Sequence, residues 1–437
     1  MKYYCIGIKG SGMATLAEIL YDLGNSVSGY DDYKPHKFTQ EGLDKRGIKI
    51  YYDNDHEIDK DTIVTYSKAF SMEHPEIKRV KNLGLKIIAY NELLGKLSSE
   101  FKTIGVSGTH GKTTTSTMLS HVLSNTKGCN YFIGDGTGFA KKENELFVLE
   151  SCEYNRHFLS YKPYYAVVTN IELEHTECYK DINEIIDTFS TFANKANITI
   201  ACGDDLNVRK MNLNNKVIYY GFNDNNDVVA KNVVLSKSGS SFDVYIDKKL
   251  YGHFDIPVFG DHMVLNALAC ITICNLEGVK KEDIHRLLET FSNAKRRFKE
   301  KVFGDVITID DYAHHPTEIK VTIESARQKY PDKEIVAVFL PNTYSRTKAL
   351  LKDFISALRK ADKAYVMDIH CDREKKEDYP GVSSDLIINE VPNAEKISIG
   401  TVDKLLKHKN AAICFMSCAN IYEILDKFEE LLKNKNN

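Results

Sequence analysis

The run Gly105-Val106-Ser107-Gly108-Thr109-His110-Gly111-Lys112-Thr113 carries the densest chemistry in the sequence. A β-branched stretch, Thr103-Ile104-Gly105-Val106, leads into it, and Thr114 to Leu123, with Leu119, Val122 and Leu123 at helical spacing, leads out. Strand, glycine-rich loop and helix in that order let backbone N–H groups and a helix N-terminus wrap a polyphosphate. In that setting Gly108, Thr109, His110, Gly111 and Thr114 line the phosphates of ATP, Lys112 reaches the β- and γ-phosphates, and the Thr113 hydroxyl binds Mg²⁺. Val106 stands where the usual G-x-x-x-x-G-K-[ST] pattern has its first glycine, flanked by Gly105 and Gly108. A Gly-Lys-Thr triplet alone also fits a surface turn; the strand before it and the helix after it favour ATP.

Three further groups of residues could do chemistry. Gly7-Ile8-Lys9-Gly10-Ser11-Gly12-Met13 is a second strand-to-helix glycine turn, suited to a diphosphate on a helix N-terminus. Asp31, at the end of the next strand, lies where a ribose-binding acid would sit. The glycine order is G-x-x-G-x-G, which weakens a nicotinamide reading, and a tight turn needing glycine for its dihedrals stays open as the alternative. Glu150 and Glu153 end one strand, and Asn170, Glu172, Glu174 and His175 end the next. Strand C-termini of a parallel sheet border the ligand crevice, and oxygen donors with one imidazole suit Mg²⁺; Glu153 and His175 are the main candidates. Asp310-Asp311-Tyr312-Ala313-His314-His315-Pro316 and Asn342-Thr343-Tyr344-Ser345-Arg346-Thr347 follow strands near the C-terminus. On neighbouring loops, Arg346 would fork onto a carboxylate, with Tyr312 or His314 near an amine. Ordinary solvated loops are the competing reading.

The elements that must position these groups fall into three segments. Residues 1–97 alternate strands (Tyr3–Ile8, Ser26–Tyr30, Thr62–Tyr66, Lys86–Ala89) with helical stretches such as Met13–Leu23, which predicts a parallel, doubly wound sheet. Residues 98–296 hold the ATP loop, strands at Leu146–Glu150, Tyr165–Thr169, Ile198–Ala201 and Lys216–Tyr220, and then short alternating runs at Val228–Leu235, Ser241–Ile246 and Leu250–Phe254. Those last runs predict a small antiparallel addition, closed by helices over Asp261–Cys274 and Lys281–Phe291. Residues 297–437 alternate again, with strands at Val306–Asp310, Glu334–Leu340, Ala364–Met367, Lys396–Ile399 and Ala411–Met416. The fold class is α/β in three domains. Rossmann-like doubly wound sheets flank a central P-loop ATPase-like domain.

Composition narrows the partners. At 437 residues the chain has length for about three domains of roughly 150 residues. A net charge of -3 gives no footprint for nucleic acid or an anionic membrane, and no apolar run is long enough to span a bilayer. The ten cysteines are scattered, with Cys270/Cys274 and Cys414/Cys418 spaced i,i+4 among apolar residues. Core packing of reduced thiols in the cytoplasm fits them better than zinc.

Taken together, Gly-Thr-His-Gly-Lys-Thr-Thr-Thr, Asp-Asp-Tyr-Ala-His-His-Pro and the three-segment order resemble the Mur ligases of bacterial cell-wall synthesis. Cys152-Glu153-Tyr154, Thr169-Asn170-Ile171-Glu172, Gly260-Asp261-His262 with Asn266, and Lys295-Arg296-Arg297-Phe298 fall in the family's order. The resemblance implies a cytoplasmic enzyme, monomer or weak homodimer, that uses ATP and Mg²⁺ to join L-alanine to the lactyl carboxylate of UDP-N-acetylmuramate. It assigns Gly10, Ser11, Gly12 and Met13, with Asp31, to the UDP-sugar. Lys112 and Thr113 go to the ATP phosphates and metal, Glu153 and His175 to a second magnesium, and His262, Asn266 and Asp311 to the nucleotide. Arg297 and His314 lie with the reacting groups, and Tyr312, His314 and Arg346 in the amino-acid pocket. Asn342 in place of a His, Met263 in place of an Asn and Ser417-Cys418-Ala419-Asn420 in place of Gly-Ala-Gly-Asp depart from the family pattern. A relative adding a peptide to the same UDP-sugar, and a degenerate nucleotide-binding homologue, are the competing readings within the family.

Overall fold

Apolar strands alternating with amphipathic helices build three sheets, seen in a computed structural model that describes residues 1–37, 39–175, 178–371 and 374–436. The first sheet holds β1 (Lys2–Ile6), β2 (Ser26–Tyr30), β3 (Lys49–Tyr51), β4 (Thr62–Tyr66) and β5 (Lys86–Ala89), all parallel, in the order β3-β2-β1-β4-β5. Strand order reverses at β1, so the crevice where such sheets bind ligands opens after Ile6, at the glycine turn.

The second sheet has ten strands: β6 (Lys102–Ser107), β7 (Cys129–Ile133), β8 (Thr137–Phe139), β9 (Leu146–Glu150), β10 (Tyr165–Val168), β11 (Ile198–Cys202), β12 (Lys216–Gly221), β13 (Val228–Ser236), β14 (Gly239–Ile246) and β15 (Lys249–Ile256). Their order, β15-β14-β13-β12-β11-β10-β6-β9-β7-β8, reverses at β6, with β9 on one side and β10 on the other. The antiparallel addition foreseen from the alternating runs extends this same sheet, because β13 pairs with β12 through Tyr220↔Val228 and Gly221↔Val229. Asp247 and Lys248, both at positive φ, supply the two-residue turn between β14 and β15. The hairpin of β7 and β8 has no counterpart in the sequence reading.

The third sheet comprises β16 (Lys299–Phe303), β17 (Val306–Asp311), β18 (Glu334–Phe339), β19 (Lys363–Val366), β20 (Ala394–Lys396) and β21 (Ala411–Met416), ordered β16-β17-β21-β18-β19-β20. The strand expected over Lys396–Ile399 ends at Lys396, because Ser398 and Thr401 form a reciprocal cap that starts a 3₁₀ turn over Ile399–Lys407. Along β18, Ile335, Ala337 and Phe339 enter one core, while Val336 and Val338 enter the other. A period-2 split with both faces apolar is what a sheet covered by helices on each side requires.

Two compact units result. The first contains Met1–Lys231, Asp243–Phe254 and Leu265–Glu289; the second contains Asn232–Phe242, Asp255–Val264 and Thr290–Asn437. Inside the first unit, the helix Ser11–Asp22 buries Leu16, Ile19 and Leu20 in a cluster that also holds Phe132, Phe147 and Leu149 from the second sheet and Ala140 directly after β8. The first and second sheets therefore share one hydrophobic core. All ten cysteines are free thiols, and Cys270 and Cys274 lie 3.9 Å apart in the interior. No helix among the described residues is long and apolar enough to cross a membrane.

Candidate active site

In the first unit, β6 ends in the phosphate loop and the helix Lys112–Ser124 begins directly after Gly111. Gly108 and Gly111 sit at φ +139° and +83°, where a side chain is strained. A Cβ on Gly108 would also lie 1.9 Å from Thr169 Oγ1, and one on Gly111 would lie 2.8 Å from Asn266 Oδ1. The loop is laced to the end of β10. Thr109 N–H donates to the Asn170 carbonyl at 3.0 Å, His110 N–H donates to Asn170 Oδ1 at 2.8 Å, and Thr169 Oγ1 donates to the His110 carbonyl at 2.6 Å. His110 Nε2 lies 3.5 Å from Glu172, and Thr114 is buried in the first helical turn.

Lys112 folds back over its own loop, donating to the Gly108 and Thr109 carbonyls, and lies 2.9 and 3.1 Å from the two carboxylate oxygens of Glu153. Burial pulls the Lys112 pKa down, but the adjacent Glu153 outweighs it and holds the ammonium above its usual range. His175 Nε2 stands 3.7 Å from Glu153, with its ring edge-on to Tyr154 and its backbone at φ +54°. Thr113 Oγ1 donates to Glu150 at 3.0 Å. A hydroxyl, two carboxylates and an imidazole therefore converge at the C-terminal ends of β6, β9 and β10. Hard oxygen donors predominate, which fits Mg²⁺ better than a soft metal.

At the other crevice of this unit, no side chain caps the helix Ser11–Asp22. Its first-turn N–H groups are therefore left for backbone or ligand partners. Gly12 leaves room for Tyr90, whose hydroxyl would lie 2.6 Å from a Cβ there. Met13 points into the core, so only its backbone faces the turn. Asp31 is turned inward and accepts from the backbone N–H groups of Lys9 (2.9 Å) and Tyr33 (3.0 Å). Lys9 is 1% exposed, and its ammonium gathers the carbonyls of Tyr33, Lys34 and Pro35.

The second unit assembles its own group. Arg297 lies over the Tyr312 ring at 5.3 Å, and His314 meets the same ring edge-on at 5.4 Å. Glu318 organises them, accepting from the His314 N–H at 3.0 Å, standing 3.1 Å from His314 Nδ1 and 3.7 Å from Arg297. Asp311 is buried and accepts from the N–H groups of Phe298 and Ala313, both at 2.8 Å. Burial raises its carboxyl pKa to about 6, a rise that Arg297 moderates. His262 is lowered to about 4, first by burial and then by Arg297, so it is neutral near pH 7. Arg346 sits in the first turn of Tyr344–Ala349, donating to the Asn342 carbonyl at 3.3 Å. The strands that end at the loops carrying Tyr312 and Arg346 are not adjacent in the sheet: β21 pairs between β17 and β18, and Ser417 after it donates to the carbonyls of Asp311 and Leu340 at their two ends.

Several residues to which the sequence assigned no part of their own carry the arrangement. Glu150 holds Thr113, and Glu318 holds His314 and Arg297. His315-Pro316-Thr317-Glu318 has the spacing of a capping box, with His as the unusual cap, a signal that was available in the sequence. Arg296 lies 5.0 Å from both the Tyr312 and Tyr422 rings and donates to the Ser417 carbonyl, which only the fold could reveal.

Comparison with known proteins adds family and fold. The model described as the Mur ligase family catalytic domain matches residues 2–102, the Mur ligase middle domain matches 106–274, and the Mur ligase glutamate ligase domain matches 296–414. UDP-N-acetylmuramate-alanine ligase from Thermotoga maritima superposes with a TM-score of 0.81 at 24% identity, over 100% of both chains. A murein peptide ligase from Psychrobacter arcticus gives 0.66 at 22% identity, over 99% of each chain. MurF ligase from Thermotoga maritima, in complex with ADP, gives 0.69 at 19% identity, over 87% of this chain and 96% of its own. At these identities the likeness to solved structures is one of fold.

Proposed function

The chain belongs to the Mur ligase family of ATP-dependent ligases in peptidoglycan synthesis, and from that premise we propose that it joins L-alanine to the lactyl carboxylate of UDP-N-acetylmuramate. The observation that carries the proposal is the convergence of Lys112, Thr113, Glu153 and His175 around one phosphate loop. A carboxylate is a poor electrophile and must be activated before an amine can displace its oxygen. Here the sugar's carboxylate takes the γ-phosphoryl group of ATP, giving an acyl phosphate and ADP. The alanine amine then attacks the carbonyl carbon, and inorganic phosphate leaves as the amide forms.

Each group has a part in that sequence. The loop N–H groups and Lys112 bind and orient the phosphates, and the Lys112 ammonium faces charge developing on the transferring phosphoryl group. Thr113, Glu153 and His175 would hold magnesium, which supplies charge neutralisation on the phosphate oxygens when bound. The uncapped turn at Gly10-Ser11-Gly12 takes the UDP diphosphate. On the second unit, Arg346 grips the alanine carboxylate, Tyr312 and His314 border its amine, and Glu318 fixes His314 and Arg297. His262, Asn266 and Asp311 serve the nucleotide. ATP and UDP-sugar supply place the reaction in the cytoplasm.

Phosphate release from ATP, measured with UDP-N-acetylmuramate and in turn L-alanine, glycine, L-serine or a peptide with a free amine, tests the reading. Release with L-alanine in preference to the others is the expected result. Release with the peptide alone would move the chain to the peptide-adding branch, and no release with any amine would leave a nucleotide-binding homologue.

A further inference from the structure

Three hydrogen bonds run unbroken from the phosphate loop to the glycine turn of the first sheet. Thr113 Oγ1 donates to Glu150 Oε1 at 3.0 Å, Gly134 N–H donates to Glu150 Oε2 at 2.6 Å, and Ser11 Oγ donates to the Gly134 carbonyl at 2.9 Å. Gly134 lies in the tip joining β7 to β8, a segment 123 residues from Ser11 in sequence. The hairpin also rests on the helix that carries Ser11, since a Cβ on Gly138 would lie 2.7 Å from Thr15 Cγ2. The tip is in close contact with that carboxylate: a Cβ on Gly134 would lie 2.4 Å from Glu150 Oε1 and would push it aside.

A hydroxyl has one proton to donate. Ser11 gives its proton to Gly134 and must release that carbonyl before it can donate to a diphosphate. Thr113 gives its proton to Glu150 and keeps oxygen lone pairs for a cation. A cation held there would polarise the O–H bond and favour the carboxylate nearer the loop. Because the second oxygen of Glu150 accepts from the hairpin tip, such a shift would reach Gly134.

We propose, building on the assignment of the two nucleotide sites above, that Glu150 and the Gly134 tip couple them: cation and nucleotide at the phosphate loop pull Glu150 inward, loosen Gly134 from Ser11, and free the Ser11 hydroxyl for the diphosphate of the UDP-sugar. Glu150 is thus a positioning residue with two discrete arrangements of its partners. The two sites bias the same element, which is the physical requirement for coupling.

Calorimetry with UDP and Mg²⁺–ADP as probes tests this without turnover. UDP should bind about fivefold or more tightly when Mg²⁺–ADP is saturating, and ADP should gain by the same factor when UDP is saturating. In Glu150→Gln, the amide offers one acceptor oxygen where the carboxylate offers two. In Gly134→Ala, the carboxylate remains but is displaced. Gly134→Ala should bind each nucleotide alone and bring the factor close to one, and Glu150→Gln should bring it close to one with some loss of Mg²⁺–ADP affinity, with melting temperature checking that both fold. A purely structural role would weaken each affinity without changing their ratio. If Glu150→Gln loses ADP altogether, Gly134→Ala carries the test. Independent binding in the unaltered protein, or an undiminished factor in the variants, overturns the coupling and leaves the ligase reading standing. Failure of UDP to bind at all would overturn both.

Discussion

Replacing Lys112 with Met separates what this side chain does for folding from what it does for catalysis. Glu153 is 4% exposed at its side chain, and Lys112 is its nearest cation. Removing one partner of a buried ion pair leaves a charge without compensation and costs about 3–5 kcal/mol. Because the Lys112 side chain keeps 13% exposure, water can enter part of the space it vacates. The expectation is therefore the low end, about 3 kcal/mol. Glu153→Gln in the same chain removes the stranded charge, so the double variant should recover most of that loss, with a coupling energy of about 2–3 kcal/mol. Urea unfolding, read at the transition that Mg²⁺–ADP protects in the unaltered protein, gives the three differences. Turnover should fall by at least about 10²–10³ in Lys112→Met and stay low in the double variant. Additive stabilities within about 0.5 kcal/mol would refute the reasoning, because the two groups would not then form one electrostatic unit.

Arg346→Lys keeps the charge but loses the planar fork, so the KM for L-alanine should rise roughly tenfold or more while that for UDP-N-acetylmuramate hardly moves. A rise in the KM for ATP alone would reassign Arg346 to the nucleotide. Gly108→Ala meets Thr169 Oγ1 at 1.9 Å and should abolish measurable ADP binding, whereas Gly47→Ala, at φ +65° with nothing within 4 Å, should cost about 1 kcal/mol of stability and leave ADP affinity intact. Asp311 titrates near pH 6 folded, against an ordinary value of 3.8. Its folded-state carboxyl pKa is raised, so the protonated form is favoured by folding and stability falls as pH climbs between those two values. The loss is about 3 kcal/mol, from 1.36 kcal/mol per pKa unit. Asp311→Asn should flatten the pH dependence of the urea midpoint between pH 4 and 6; an unchanged slope would mean the carboxyl is not held neutral by burial.

The sequence revealed groups whose chemistry is local and hid those assembled at a distance. The placement of Lys112 and Thr113 was legible because strand, loop and helix follow one another directly over residues 102–124 and each step has its own residue pattern. β2, β4, β5, β9 and β21 were legible for the same reason: their apolar runs are bounded by turn residues. The hairpin of β7 and β8 was not, because Gly134-Asp135-Gly136-Thr137-Gly138 reads as loop while half of the hairpin gains its strand character from pairing with β9. Glu150 was visible as one acid among several, and only the fold aims it at Thr113 and Gly134. That a strand lies between those leading to Tyr312 and Arg346 was invisible too. It depends on the last strand of the chain inserting between two earlier ones, a pairing no local pattern encodes.

The shared core of the first two sheets has a consequence for recombination. Family patterns parse the chain into three successive modules, which invites building chimaeras by cutting near residue 100. Such a cut would part Leu16, Ile19 and Leu20 from Phe132 and Ala140, which fill the same interior. A graft of the first hundred residues from a relative would inherit an apolar face shaped for a different hairpin. Exchange of substrate preference between such ligases is therefore expected to demand the helix Ser11–Asp22 and the β7–β8 hairpin as one inherited block, so that what is modular as sequence is a single part as an object.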